Sequence, residues 1–249
     1  MTETDHGLAA RLATAAGELL VALRNDLVGS GAPYWQVMDA GDAASHHFLV
    51  HELATARPDD AVLSEEGRDS RARLSADRVW IIDPLDGTNE FGEPGRPDWA
   101  VHVALVSDSR PVAAAVSLPA AHRTYATDPA PPPPPEVDGR RLRVVMSRSR
   151  APHASMVVAA ALDAELVRLG SAGAKTMAVV TGDADVYVHA GGMYEWDSCA
   201  PTAVAAAAGL HVSRIDGSPL RYNRPDPWLP DLLVCRPELA APVLEALWS

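Results

Sequence analysis

The sequence predicts a mixed α/β (α+β) protein, with an antiparallel sheet in its first half and a mixed sheet in its second. Three observations carry that expectation. Val79-Trp80-Ile81-Ile82 is an apolar run rich in β-branched side chains and closed by Asp83-Pro84. It reads as a buried strand, because proline cannot donate to a ladder and restricts the residue before it. Ala100 to Val106 and Val112 to Leu118 are two apolar runs separated by Ser-Asp-Ser-Arg-Pro, a strand pair joined by a turn. Beyond residue 142, strand and helix patterns alternate, as expected where helices pack on a sheet.

Taken in order, residues Asp5 to about Val28 place Leu8, Leu12, Ala16, Leu19 and Leu23 at helical spacing after an Asp cap, and Gly29 stands where the helix should stop. A second helix is expected to begin at Asp42, after Gly41, and to bury Ala44, Phe48, Leu49, Leu53 and Ala56 before Arg57-Pro58-Asp59-Asp60 closes it. Its His47 and His51 stand at i, i+4 but lack the order of a metal-binding helix, and they read as solvent-facing. Ala61-Val62-Leu63 is a short strand. Pro129 to Pro135, interrupted only by Ala130, suits neither a sheet interior nor a helix and reads as an extended surface linker. It divides the chain into halves, 1–128 and 136–249. In the second half we expect a strand Leu142 to Met146, a helix Pro152 to Leu169, a helix Gly173 to Val180 and a strand Asp185 to His189. An alanine-rich helix from Ser198 to Ala208 follows, capped by Asp197, with Pro201 in its first turn and Gly209 at its end. Leu232 to Cys235 and Pro237 to Trp248 are a last strand and a last helix.

The chemistry concentrates where strands end. Asp83 and Asp86 lie three apart around Pro84-Leu85, so both carboxylates reach one small volume with the Leu85 carbonyl between them. Ser64-Glu65-Glu66 repeats the arrangement after the preceding strand. Anions packed this closely need a cation. Hard oxygen ligands suit Mg²⁺ or Mn²⁺, and paired ions of this kind serve in-line phosphoryl displacement. Gly87-Thr88 adds a hydroxyl and free backbone N–H groups at a helix start, a place that attracts phosphate.

A formal net charge of -12 argues against a nucleic-acid polymer or an anionic membrane as partner, since those are held by clustered Lys and Arg. Lys175 is the only lysine. An acidic chain still binds a small phosphate ester when metal ions supply the positive charge locally. Cys199 and Cys235 form neither a C-x-x-C pair nor a zinc spacing. The first helix is too interrupted by charge for a secretory signal, and no apolar run approaches the length of a membrane span. A cytoplasmic enzyme is expected, a homodimer being one of its open oligomeric states.

Ser64-Glu65-Glu66, Trp80-Ile81-Ile82-Asp83-Pro84-Leu85-Asp86-Gly87-Thr88 and Glu195-Trp196-Asp197-Ser198-Cys199-Ala200-Pro201 together resemble the inositol monophosphatase superfamily of metal-dependent, lithium-sensitive phosphatases. Within it, Asn89-Glu90-Phe91 and Gly170-Ser171-Ala172-Gly173-Ala174-Lys175 resemble the CysQ-type branch of 3'(2'),5'-bisphosphate nucleotidases. The resemblance implies a layered α/β/α/β/α fold and hydrolysis of 3'-phosphoadenosine 5'-phosphate by metal-activated water. The alternative is a broad-specificity inositol monophosphatase or fructose 1,6-bisphosphatase. Two or three Mg²⁺ ions, or Mn²⁺ in their place, are implied on Glu65, Asp83, the Leu85 carbonyl, Asp86 and Asp197. Catalysis is implied for Thr88 with Asp42 behind it, and for Glu65. Gly87, Thr88, Ser149, Ser171, Lys175 and Asp197 are implied to face the substrate. One departure stands out: Val37-Met38-Asp39-Ala40-Gly41 lacks the lysine and threonine that many members carry ahead of the residue matching Asp42, and Asp39 occupies the threonine's place. Phosphatases of the haloacid dehalogenase type carry Asp-x-Asp-Gly-Thr, whereas two residues separate Asp83 from Asp86 here.

Overall fold

The computed structural model describes residues 3–150 and 152–248. Two long helices open the chain, α1 (Asp5–Gly29) and α2 (Tyr34–Ala56). Thr4, rather than Asp5, caps α1 by accepting the Gly7 N–H at 3.1 Å. Asp5 instead pairs with Arg57 and Arg78. The inner face of α1 runs through Leu8, Leu12, Ala16 and Leu20, so Leu19 turns outward. Helix α2 begins eight residues before Asp42. Gly41 lies inside α2 and not ahead of it: a Cβ there would lie 2.5 Å from the Phe91 ring, so glycine is what allows α2 to pack this closely. Leu49 and Leu53 are buried, while Ala44, Phe48 and Ala56 are half-buried. His47 and His51 are exposed as expected.

The first sheet runs β1 (Ala61–Ser64), β2 (Val79–Asp86), β3 (Ala100–Ser107), β4 (Arg110–Leu118) and β5 (Arg123–Ala126) in chain order. It is antiparallel except that β1 lies parallel to β2. A short helix α3 (Thr88–Gly92) follows β2. After the proline run come β6 (Arg143–Ser147), α4 (His153–Ala161), β7 (Glu165–Leu169), α5 (Ala172–Thr181), β8 (Val186–Tyr194), α6 (Glu195–Ala207), β9 (His211–Ser213), β10 (Trp228–Cys235) and α7 (Ala240–Trp248). The second sheet is mixed, in the order β7-β6-β8-β10-β9.

Three differences from the sequence reading belong here. The expected helix 152–169 stops at Ala161, because Asp163 takes a positive φ of 47° and Glu165–Leu169 leaves to become an edge strand beside β6. Asp197 is not the cap of its helix: α6 starts at Glu195, and Asp197 reaches back from the first turn to accept the Tyr194 N–H at 2.6 Å. Strands β5 and β9, of four and three residues, are too short to show a period and owe their conformation to pairing with β4 and β10.

The period-two alternation of β2 explains the layering. Trp80 and Ile82 face one way, into a core with Leu8, Leu12, Leu49 and Leu53 of the first two helices. Val79 and Ile81 face the other way, toward Met177 and Val179 of α5, Ala203 and Val204 of α6, and Leu232 of β10. The outer face of the second sheet buries Val144, Val186 and Leu233 against Val158 of α4 and Val243 of α7. The order α1–α2, first sheet, α5–α6, second sheet, α4–α7 is the expected five-layer α/β/α/β/α fold.

Candidate active site

The site grows from an interruption in β2. Pro84 cannot donate to the ladder, and the pairing with β3 slips there: Asp83 stands opposite His102, and the next matched pair is Asp86 with Ala100. The strand therefore continues through Pro84 as a bulge instead of ending at it. Asp83, Asp86 and His102 consequently offer three ligand atoms within 4.8 Å of one another, all from buried residues.

The two aspartates differ in how they are satisfied. Asp86 is saturated by the start of α5: its Oδ2 accepts the Ser171 hydroxyl and the Gly173 N–H, each at 2.6 Å, and its Oδ1 accepts the Ala172 N–H at 3.1 Å. His102 Nε2 lies 3.2 Å from the same Oδ2. Burial alone would raise the Asp86 pKa, but His102, Lys175 and Ser171 outweigh it and hold it down to about 2. Asp83 accepts the Leu85 N–H on Oδ1 at 3.1 Å, while its Oδ2 is buried with no hydrogen-bond partner. Burial, then the neighbouring Glu65, Asp86 and Asp197, push its pKa well above the usual carboxylate range. An unpartnered buried carboxylate oxygen among other acids is what a hard cation requires, so the residues present fit a divalent metal ion.

Two further acids complete the cluster. Glu65 follows β1, where its N–H reaches the Ile82 carbonyl at 3.4 Å. Loss of water and the charge of Asp197 push its pKa up to about 7. Burial and Asp86 raise Asp197 to about 6, opposed by the Tyr194 N–H. Thr88 Oγ1 lies 3.2 Å from Asp42 Oδ1 and 3.1 Å from the Leu85 carbonyl, so its proton has two acceptors. Burial and the charge of Glu66 push Asp42 up to about 7, although the Thr88 bond lowers it. Gly87, with φ +89°, makes the turn into α3 and lies against Ser171, whose Cβ would be 3.0 Å from a Cβ at Gly87.

A cleft of about 930 Å³ opens beside this cluster, and Asp86, Asp197, Ser149 and Lys175 are on its walls. Ser149 is exposed at the rim. Ser171 is buried, and its hydroxyl is committed to Asp86. Lys175 is buried too: its ammonium donates to the Gly170 carbonyl and to the Ser171 carbonyl at 2.9 Å, and lies 5.4 Å from the centre of the Tyr187 ring. Two of its three protons therefore brace the turn that holds Asp86. Glu90 accepts Arg148 Nε and Nη2 at 3.1 and 2.8 Å, and Arg148 also grips Glu93. Glu90 packs so tightly on Gly170 that a Cβ there would meet its Cδ at 2.1 Å. The sequence singles out neither His102 nor Arg148. His102 is one polar residue in an apolar strand, and only the pairing of β3 with β2 sets it opposite Asp83.

Comparison with known proteins bears on this arrangement. The model of the inositol monophosphatase family matches residues 2–129 and 136–249, on either side of the proline run. A Mycobacterium leprae (strain TN) protein named 3'-phosphoadenosine 5'-phosphate phosphatase is 51% identical over 254 residues, covering 97% of this chain and 92% of that protein. The 3'(2'),5'-bisphosphate nucleotidase CysQ of Escherichia coli (strain K12) is 33% identical over 201 residues, covering 74% of this chain and 78% of that one. Among solved structures, CysQ from Bacteroides thetaiotaomicron superposes with a TM-score of 0.76 at 27% identity, covering 94% and 97% of the two chains. Inositol monophosphatase II of Staphylococcus aureus MSSA476 shares the fold, with a TM-score of 0.80 at 21% identity over 96% and 93%. With the family matched over nearly its whole length and the five-layer fold in common, the chain belongs to the inositol monophosphatase family.

Proposed function

We propose that this protein is a metal-dependent phosphatase that hydrolyses 3'-phosphoadenosine 5'-phosphate to AMP and phosphate. The observation that carries the chemistry is the unpartnered Asp83 Oδ2, buried among acids beside an open cleft. The substrate rests on the relatives, one named a 3'-phosphoadenosine 5'-phosphate phosphatase and another a 3'(2'),5'-bisphosphate nucleotidase. Asp83, Asp86, Glu65, Asp197 and the Leu85 carbonyl would hold two or three Mg²⁺ ions, with Mn²⁺ as the substitute. Bound there, the ions supply charge neutralisation of the phosphoryl oxygens and acidify water.

The chain's own residues do the positioning. Thr88, held between Asp42 and the Leu85 carbonyl, orients the attacking water. Asp42 accepts the Thr88 hydroxyl and, pushed up to about 7 by burial and Glu66, stands ready to take a proton, while Glu65 would help place the water from the metal side. The Gly87 and Thr88 N–H groups at the start of α3 receive the phosphate oxygens. Water attacks phosphorus and gives up one proton, the bond to the ribose 3'-oxygen breaks, and that oxygen takes up one proton from solvent, leaving AMP and phosphate. Ser149 lines the substrate side, while Ser171 and Lys175 keep the Asp86 turn in place from behind.

The test is catalytic efficiency measured side by side on 3'-phosphoadenosine 5'-phosphate, inositol 1-phosphate and fructose 1,6-bisphosphate, in Mg²⁺ and in excess chelator. The nucleotide should be preferred, chelated enzyme should be silent, and lithium should inhibit as the family resemblance implies. Full turnover in chelator would remove the metal reading. Preference for inositol 1-phosphate or the sugar bisphosphate would replace the substrate.

A further inference from the structure

Beyond the carboxylates, one wall of the cleft carries two aromatic rings that phosphate chemistry does not use. Tyr194 closes β8 and Trp228 opens β10, and they are direct partners in the antiparallel ladder, so their side chains share a face of the sheet. Both line the cleft, and they remain 46% and 43% exposed. Each ring is supported on one side by its own chain. Tyr194 stacks on Trp196, with centroids 4.6 Å apart and planes at 10°. Trp228 lies against Gly192, where a Cβ would sit 2.6 Å from its Nε1 and Cζ2. Gly192 holds φ at +91° where the pairing of β8 with β10 shifts, so glycine is required there both for the bulge and for the indole to lie flat.

The backbone under the rings is fixed as well. The Tyr194 N–H donates to Asp197 Oδ2 at 2.6 Å and the Trp228 N–H to Asp226 Oδ1 at 3.1 Å. The rings are therefore preorganised, and a flat ligand would cost little further ordering. The bond from Tyr194 to Asp197 also ties this wall directly to the acidic cluster. Their exposed area faces the cleft, where a π-faced ligand can cover it, since every nucleobase can stack on an aromatic side chain.

We infer that Tyr194 and Trp228 form a stacking platform for the base of the substrate, so that the site selects aromatic-base nucleotides over phosphate esters without a base. This rests on the phosphatase reading above, and the test separates the two. Trp228→Leu and Tyr194→Leu keep apolar bulk and remove the π face, while Trp228→Phe keeps it. In Mg²⁺, the ratio of kcat/KM on 3'-phosphoadenosine 5'-phosphate to that on base-less methyl ribofuranoside 3,5-bisphosphate should fall on the order of five- to hundredfold in each leucine variant, mostly through KM. Trp228→Phe should restore most of it. A role in holding the wall together would lower both substrates alike and leave the ratio unmoved, which overturns the inference.

Calorimetric binding of AMP against ribose 5-phosphate decides the matter without turnover. The preference for AMP should shrink by the same factor in the leucine variants and survive in Trp228→Phe. If the protein hydrolyses neither substrate yet shows that pattern, the platform stands and the reaction is reassigned. If it hydrolyses the nucleotide and both variants keep the wild-type preference, the platform is refuted and the reaction stands.

Discussion

At Asp83 a carboxylate is buried with one oxygen unpartnered while Glu65, Asp86 and Asp197 crowd it. Asparagine keeps the Oδ1 acceptor that binds the Leu85 N–H and removes the charge. Asp83→Asn should therefore lower phosphate release in Mg²⁺ by more than about a hundredfold, beyond the 10–100-fold that loss of a mere supporting partner costs. The same change relieves like-charge repulsion, so thermal melting in chelator should hold or rise. Near-normal turnover in the variant would show that Asp83 does not bind the ion. Glu90 is a carboxylate satisfied by an arginine instead. Its place before Phe91 is explained by what it touches: it holds Arg148 and fills the space beside Gly170, which joins α3 to the turn before α5.

Among the elements, the start of β8 carries an ion-pair junction that can be tested separately. Asp185 is fully buried and accepts Arg140 at 2.7 and 2.9 Å, Arg236 at 2.7 Å and the Arg143 N–H at 2.8 Å. Burial alone would raise its pKa, but the two guanidinium groups and the N–H outweigh it and hold it below the ordinary value. A carboxylate depressed in the folded state contributes stability that is present above its unfolded pKa, about 3.9, and is lost as pH falls through the lower folded value. Asp185→Asn leaves two buried arginine contacts uncompensated and should cost about 3–5 kcal/mol at pH 7. The gap in Tm between wild type and variant should be constant from pH 7 to about 5 and close below about pH 4. A gap that stays constant to pH 2.5 would show that Asp185 is not held ionised by its arginines. This junction also fixes the end of the proline run, since Arg236 donates to the Pro135 carbonyl at 2.6 Å.

For the molecule as a whole, the run at 129–135 separates halves that share one core. Leu63, Val79 and Ile81 of the first sheet pack with Met177, Val179, Ala203 and Leu232 from beyond the linker. We propose that 1–128 and 136–249 are structural halves of a single cooperative unit. A protease site engineered into 129–135 should, once cut, leave the two fragments co-eluting with metal-dependent activity retained. Residues 1–128 expressed alone should lack a cooperative melt, because one face of the first sheet would lose α5 and α6. A sharp transition in that fragment would show two independent domains. None of the described helices is long and apolar enough to cross a membrane.

Local features are legible in the residues alone. Runs such as Val79 to Ile82 and Ala100 to Val106 are strands because their composition and period suit a buried sheet, and the acids at 65, 83 and 86 are visible because they interrupt such runs. Tertiary structure alone decided which of these groups meet. Gly41 reads locally as the residue before a helix start and is a close-packing residue under Phe91. Residues 165–169 read as helix and become a strand because β6 offers them an edge. Lys175 is implied by resemblance to face the substrate and spends two protons on its own turn. His102 beside Asp86, and Tyr194 beside Trp228, arise from pairings between strands distant in sequence. The physical reason is the same throughout: period and propensity report what a segment prefers by itself, whereas partners are chosen by packing across the whole chain.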